Sequence, residues 1–213
     1  MKKYILVYDS GKGGENVLKV LKKVFPKENF LLFCDKQNAP FGNKRKDELE
    51  KILFTAIFSL TKKYPTKAIV IACNTMSSLF KRELKKTYPN VFCIEPMISK
   101  RILKSHTLVL ATQSTIKNSE KLKKYKSYST YHEVAFKTLA TKIDNTNNLH
   151  NLVPYLRENL SPYFYCKNIV LACTHYTSIK PQLTKLFSHK VFFYDSSFLT
   201  AQKLKKIIPY TKK

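Results

Sequence analysis

Acidic residues are scarce in this 213-residue chain: Asp and Glu number 14 against 39 Lys and Arg, a formal net charge of +25. Such a surplus favours anionic substrates, nucleic acid or anionic surfaces as partners. The lysines, however, are spread along the whole chain in pairs such as Lys22-Lys23, Lys62-Lys63, Lys85-Lys86 and Lys123-Lys124. They form no basic tail, and no RNA- or DNA-binding motif is present. A general use of Lys and Asn in place of surface Arg and Glu is the plainer account, and nucleic acid stays a partner through charge alone. The five cysteines include no Cys-x-x-Cys pair, which speaks against a zinc site. Their odd number and the lack of a secretory signal point to a reducing compartment. Only a short apolar run lies between Lys3 and Asp9, too short for a signal-peptide core. No run approaches the ~20 apolar residues of a membrane-spanning helix. A cytoplasmic protein without a membrane partner is expected. Glycine is scarce too: of four, three fall in Gly11-Lys12-Gly13-Gly14.

Against that background two stretches stand out. Ala68–Thr75 reads Ala-Ile-Val-Ile-Ala-Cys-Asn-Thr, and Asn168–His175 reads Asn-Ile-Val-Leu-Ala-Cys-Thr-His. Each is a run of apolar, mostly β-branched residues entering a cysteine and then small polar residues. That is the pattern of a strand buried on both faces, with a thiol at its C-terminal end. In open α/β sheets those ends face the ligand crevice. Two such strands, one hundred residues apart, predict two similar halves that each offer one cysteine to a shared cleft.

The rest of the chain alternates in the same way. Strands are expected at Tyr4–Tyr8, Phe30–Cys34, Ala68–Ala72, Val91–Ile94, Thr107–Ala111, Tyr131–Phe136, the Cys173 segment and Val191–Tyr194. Between them, helices are expected from near Gly14 to before Pro26, over 47–63, 76–86, near 98–104, from the Thr112–Thr115 capping cluster to about Tyr125, over 152–160, from Cys173 through Phe187, and over Ser197–Ile208. Asp35–Lys46 and the Asn-rich Lys142–Asn151 read as loops. Alternating strands and helices mean a parallel α/β protein. The expected division is residues 1–97, joined by the last helix within 197–213, and residues 98–196. The Gly11–Gly14 loop lacks the endings of a P-loop or a dinucleotide site. It suits a carboxylate held on free N–H groups at a helix start.

Asp9-Ser10-Gly11-x-Gly13-Gly14, Pro40-Phe41-Gly42, Ala72-Cys73-Asn74-Thr75, Glu95-Pro96 and Cys173-Thr174-His175-Tyr176 together resemble, in order and spacing, the glutamate racemase family of the aspartate/glutamate racemase superfamily. The resemblance runs from about Ile5 to Asp195. It implies two pseudo-symmetric parallel-sheet α/β domains with the site between them, a cofactor-independent two-base mechanism, a small acidic amino acid as substrate, a homodimer, and D-glutamate of the kind used in cell-wall precursors. By motif position Cys73 and Cys173 are the bases, Asp9 assists Cys73 and His175 assists Cys173. Ser10, Pro40, Phe41, Gly42, Asn74, Thr75, Thr174 and, in a threonine-rich loop, Thr112 and Thr115 fall where the family binds the amino acid. Lys12 replaces a small or apolar residue of the family pattern, and Phe41 a common tyrosine. The family's Cys-Pro-Leu segment and the glutamate that follows correspond to Val134–Asp144, with Phe136 and Lys137 at the Cys and Pro, and Asp144 at the Glu. The chain ends some tens of residues before typical members.

The chemistry asks for such a set. Racemisation removes an α-proton from one face of the amino acid and returns another on the opposite face, which two thiols from two halves can do directly. A thiol with an ordinary pKa near ~8.5 can be drawn down by a helix N-terminus, so a cysteine before each predicted helix is expected to favour its thiolate. Backbone N–H groups near Gly11 and Asn74–Thr75 are expected to hold a carboxylate. Cys34, Cys93 and Cys166 read as small buried hydrophobes. Asp9-Ser10 also reads as a helix cap, His175 as a core histidine and Glu95-Pro96 as a strand end. Three functions remain open to the sequence: a glutamate racemase, a racemase of aspartate or another acidic substrate, and a non-catalytic basic protein binding nucleic acid on this fold.

Overall fold

A computed structural model describes residues 2–208. Met1 and residues 209–213, the end of the expected returning segment, lie outside the described residues. In chain order the first half contains β1 (Tyr4–Asp9), α1 (Gly13–Val24), β2 (Phe30–Cys34), α2 (Lys46–Lys63), β3 (Thr66–Ile71), α3 (Asn74–Thr87) and β4 (Val91–Cys93). The second contains β5 (Thr107–Thr112), α4 (Gln113–Asn118), α5 (Glu120–Lys123), β6 (Tyr131–Phe136), α6 (Leu139–Asn145), α7 (Val153–Leu160), β7 (Asn168–Ala172), α8 (Lys180–Leu186) and β8 (Phe192–Asp195). A last helix, α9 (Ser197–Leu204), follows.

The strands form two four-stranded parallel sheets of one topology, β2-β1-β3-β4 and β6-β5-β7-β8. The α/β class read from the alternation is the observed one. Each sheet is buried on both faces, which explains its unbroken apolar strands. Leu6, Tyr8, Ile69 and Ile71 face α2 and α3, while Ile5, Val7, Ala68 and Val70 face α1. Ala201, Leu204 and Ile208 join that second cluster, so α9 packs on the first sheet. In the second sheet Leu108, Leu110, Ile169 and Leu171 pack on α6–α8, and Val109, Ala111 and Val170 on the other face.

Several expectations need correction. The Asn-rich Lys142–Asn151 is not a loop: α6 runs to Asn145, and a 3₁₀ turn spans Leu149–Leu152. Leu139 and Ile143, one helical turn apart, are buried and override the polar composition around them. The helix expected through Phe187 is a 3₁₀ stretch, Thr174–Ile179, and then α8, with Pro181 in its first turn. The helix expected to Tyr125 breaks where the Ser119 side chain accepts from Leu122 N–H and starts α5. Near 98–104 only a 3₁₀ turn, Ile102–Lys104, forms, and the last helix stops at Leu204.

Candidate active site

In a sheet of order 2-1-3-4 the chain leaves strand 1 toward one edge and later returns on its other side. The crevice opens at the C-terminal ends of strands 1 and 3. Asp9 ends β1 and Cys73 follows β3; Thr112 ends β5 and Cys173 follows β7. The two switch points face one cavity of about 360 Å³. Its walls include Asp9, Ser10, Pro40, Phe41, Gly42, Cys73, Asn74, Thr75, Thr112, Asp144, Cys173, Thr174 and His175. Thr115 is fully buried behind Thr112, whose hydroxyl donates to its own at 3.0 Å.

Cys73 is the N-cap of α3, and Thr75 and Met76 turn backbone N–H groups toward its sulfur. The expected outcome, a thiol drawn down by the helix start, does not follow. Burial, with the charge of Asp9, holds Cys73 well above the ordinary thiol range despite those N–H groups. Asp9 is itself fully buried. Burial raises its carboxyl, against the charge of His175 and hydrogen bonds from Ser10 N–H at 2.7 Å and the Thr174 hydroxyl at 3.0 Å.

Cys173 is followed by a 3₁₀ turn rather than an α-helix, and its neighbour is a side chain. His175 Nδ1 stands 3.8 Å from Cys173 Sγ, and Nε2 stands 3.1 Å from Asp144 Oδ2. Burial opposes the His175 proton. The hydrogen bond to Asp144, with Cys173 and the charge of Asp9, outweighs it and puts the imidazole well above its usual range. Burial likewise opposes the Asp144 charge, but His175 and the Lys12 amide and ammonium hold the carboxyl below its ordinary range. Residue 144 thus lines the cavity beside His175, delivered by a helix that composition concealed.

The glycine loop serves a different purpose from the expected carboxylate cradle. Ser10 and Lys12 line the cavity; Gly11, Gly13 and Gly14 do not. A Cβ on Gly11 would lie 2.5 Å from Asp144 Oδ2 and 2.9 Å from His175 Nε2. One on Gly13 would lie 2.8 Å from both Asp9 Oδ2 and His175 Nδ1. These glycines let the two halves close on each other. The joint is bonded further along: Asn16 Nδ2 donates to Thr174 O and Ser178 Oγ at 3.0 Å each, and the Thr75 and Thr112 hydroxyls meet at 3.0 Å.

Phe41 packs its buried ring on Tyr8, centroids 6.2 Å apart, beside the cis Ala39–Pro40 bond. Tyr8 donates to Asp35, which also accepts from Asn38, so a buried polar group anchors this rim. Sequence reasoning missed Asp35, Lys36, Ala140 and Thr141 at or behind the cavity, and had Lys12, Phe136 and Lys137 only as departures from a pattern. The apolar run Phe30–Cys34 leading into Asp35 carried no signal for the first two. A helical reading of 139–145 would have found Ala140 and Thr141. Among the described residues no group of three or more His, Cys, Asp or Glu could hold a metal ion, and no helix is long and apolar enough to cross a membrane.

No family model matches the chain. It is 34% identical over 213 aligned positions to a glutamate racemase of Clostridium novyi, covering 93% of this chain and 81% of that protein. A glutamate racemase of Clostridium perfringens is also 34% identical, with 93% and 80% covered. Among solved structures, glutamate racemase isoform RacE1 of Bacillus anthracis superimposes with a TM-score of 0.83 at 26% identity, over 97% of this chain and 81% of that one. The fold is shared as well with Escherichia coli glutamate racemase in complex with L-glutamate and the activator UDP-MurNAc-ala: TM-score 0.86, 20% identity, 100% and 85% covered.

Proposed function

The chain belongs to the glutamate racemase family and is an isomerase; on that premise we propose that it interconverts L- and D-glutamate without a cofactor, with Cys73 and Cys173 as the two bases. The observation that carries this reading is the placement of both thiols, one from each half, in the walls of a single cavity. Residues 1–97 with the returning segment from 197 act as one body, and 98–196 as the other.

In one direction a thiolate takes the α-proton: the Cα–H bond breaks, an S–H bond forms, and the electron pair stays on the substrate. The opposite thiol then gives its proton to the other face of Cα and becomes the thiolate that starts the reverse reaction. His175, protonated against Asp144, stabilises the Cys173 thiolate through Nδ1. The N–H groups of Thr75 and Met76 do so for Cys73. Asp9 keeps the Cys73 proton on sulfur until substrate arrives. Ser10, Pro40, Phe41, Gly42, Asn74, Thr75, Thr112 and Thr174 bind the amino acid, Thr115 acting through Thr112. Asn74 Oδ1 is buried without a partner among the described residues, which suits the substrate ammonium. Of the lysines at the rim, Lys36 and Lys137 favour a substrate with two carboxylates, while the Lys12 ammonium is bonded to Asp144 O.

The test is proton NMR of L-glutamate and, separately, L-aspartate in D2O with the reduced protein. Loss of the glutamate α-proton signal with circular dichroism decaying to zero is the expected result. Exchange of aspartate alone would move the substrate. No exchange of either, together with steeply salt-dependent nucleic-acid binding, would overturn the enzymatic reading.

A further inference from the structure

We propose that Lys12 is a positioning residue of the second half-site: by reaching across the cleft to the carbonyl of Asp144, it fixes the last turn of α6 and so the His175–Asp144 pair behind Cys173. This rests on the proposed function for its catalytic consequence, though not for its geometry. Lys12 Nζ donates to Asp144 O at 2.7 Å. That carbonyl lies at the C-terminal end of α6, a seven-residue helix. A helix that short does not hold itself, and its last carbonyls have no partner within it. Among the described residues no backbone N–H of Thr146, the C-cap residue, returns to the helix. A cation at this end bonds an orphan carbonyl and complements the helix dipole. The second observation is Asp144 Oδ1, which is buried and has no hydrogen-bond partner among the described residues. The carboxylate is therefore held by His175 at Oδ2 and by the Lys12 amide, and its aim depends on where the end of α6 sits.

The flanking residues make the contact cleft-dependent. Gly11 touches the Asp144–His175 pair closely enough that no Cβ fits. Lys12 thus arrives at Asp144 only when the first half is pressed against the second. Separation of the halves breaks the contact and frees the pair that supports Cys173. The groups facing His175 are Asp144, Cys173 and Asp9; those facing Asp144 are His175, Lys12 and, farther off, Asp9.

Lys12→Met and Lys12→Arg in the full-length protein test this, with the His175 imidazole followed by NMR against pH and assigned by its loss in His175→Gln. Two roles predict opposite signs. If Lys12 positions Asp144, Lys12→Met loosens the carboxylate from the imidazole, and His175 gives up its proton at lower pH than in the parent. If Lys12 is only a nearby positive charge, its removal lets His175 keep the proton to higher pH. The expected result is the shift to lower pH, reversed by Lys12→Arg. It comes with a roughly two- to fivefold fall in kcat, the size of an exposed charge at a helix end, and an unchanged KM for glutamate. A shift to higher pH, no shift, or a change in KM alone would overturn the proposal. The imidazole titration needs no turnover, so absent α-proton exchange counts against the racemase reading and leaves this one standing or falling by its own signal.

Discussion

In the first half, helices of 12, 18 and 14 residues back the sheet; in the second no helix exceeds eight residues. The strand order is the same. The difference reaches the two thiols. After Cys73 the chain enters a long α-helix at once, so main-chain N–H groups point at the sulfur. After Cys173 it enters a 3₁₀ turn, and the place of those N–H groups is taken by His175, supported by Asp144 from a separate short helix. Main-chain support does not titrate; side-chain support does. Two half-sites alike in strand geometry should therefore differ in how they answer pH and mutation.

The largest effect should come from the thiols themselves. Cys73→Ser and Cys173→Ser are each expected to lower racemisation by on the order of 10²–10⁴-fold, the range lost with a positioned acid or base. The sharper measurement is α-proton exchange of each pure enantiomer in D2O. Each variant should retain slow exchange, without inversion, of one enantiomer only, and the two variants should retain opposite enantiomers. Retention of the same enantiomer by both would mean the cysteines do not stand on opposite faces of the substrate.

Next in size is the joint between the halves. Gly13→Ala places a Cβ against Asp9 Oδ2 and His175 Nδ1, neither of which can yield without leaving its partner. Overpacking of this kind costs about 1–3 kcal/mol, and activity should fall by more than that stability loss explains. Gly42→Ala is the contrast: the atoms nearest its Cβ are all of the Thr112 side chain, the first at 3.5 Å, an ordinary contact. Chemical denaturation and kcat of the two variants would separate a joint that must close from a rim with room.

What the sequence disclosed follows the same divide. β3 and β7 were legible because burial on both faces writes an unbroken apolar run. α1 and α2 were legible because Val17 and Leu21, or Leu49, Leu53 and Ile57, repeat at helical spacing over several turns. In α6 only Leu139 and Ile143 repeat, one turn's worth of pattern among Thr, Lys, Asp and Asn, and composition pointed to a loop. The motif positions supplied Asp144 where periodicity could not. The direction of the Cys73 shift was misjudged because a helix start is visible in a sequence, whereas the buried carboxylate beside it depends on β1 and β3 being neighbours.

The pH response sharpens the comparison. His175 is raised in the folded protein, so the stability it contributes is full below the unfolded imidazole pKa and is lost as pH rises through the folded value. Asp144 is lowered, so its contribution is present above the unfolded carboxyl pKa and is lost as pH falls through the folded value. The pair thus spans the neutral range. Asp144→Asn should bring the upper limit down, lowering the rate started by Cys173 about tenfold at the alkaline end, toward the lower part of the general acid–base range. The rate started by Cys73 should instead climb with pH, because burial and Asp9 hold that thiol high, and Asp9→Asn should move the climb to lower pH. Initial rates from each enantiomer across pH would show it; parallel profiles in both directions would erase the distinction between the half-sites.

The smallest expected effect concerns the hydroxyl pair that, among the described residues, links the half-sites across the cavity. Thr112 Oγ1 donates to Thr115 Oγ1 and accepts from Thr115 N–H, so the proton in its bond to Thr75 comes from Thr75. Thr75→Val loses that bond alone, about 0.5–1.5 kcal/mol. Thr112→Val loses it together with the N-cap of α4, about 0.5–2 kcal/mol more. The double variant should be less destabilised than the sum, because the shared bond is lost once. A double-mutant cycle by urea denaturation isolates that coupling. A coupling of zero would mean that this hydroxyl pair does not help to hold the halves together, so that the Cys73 side of the cavity can open without disturbing the second half-site.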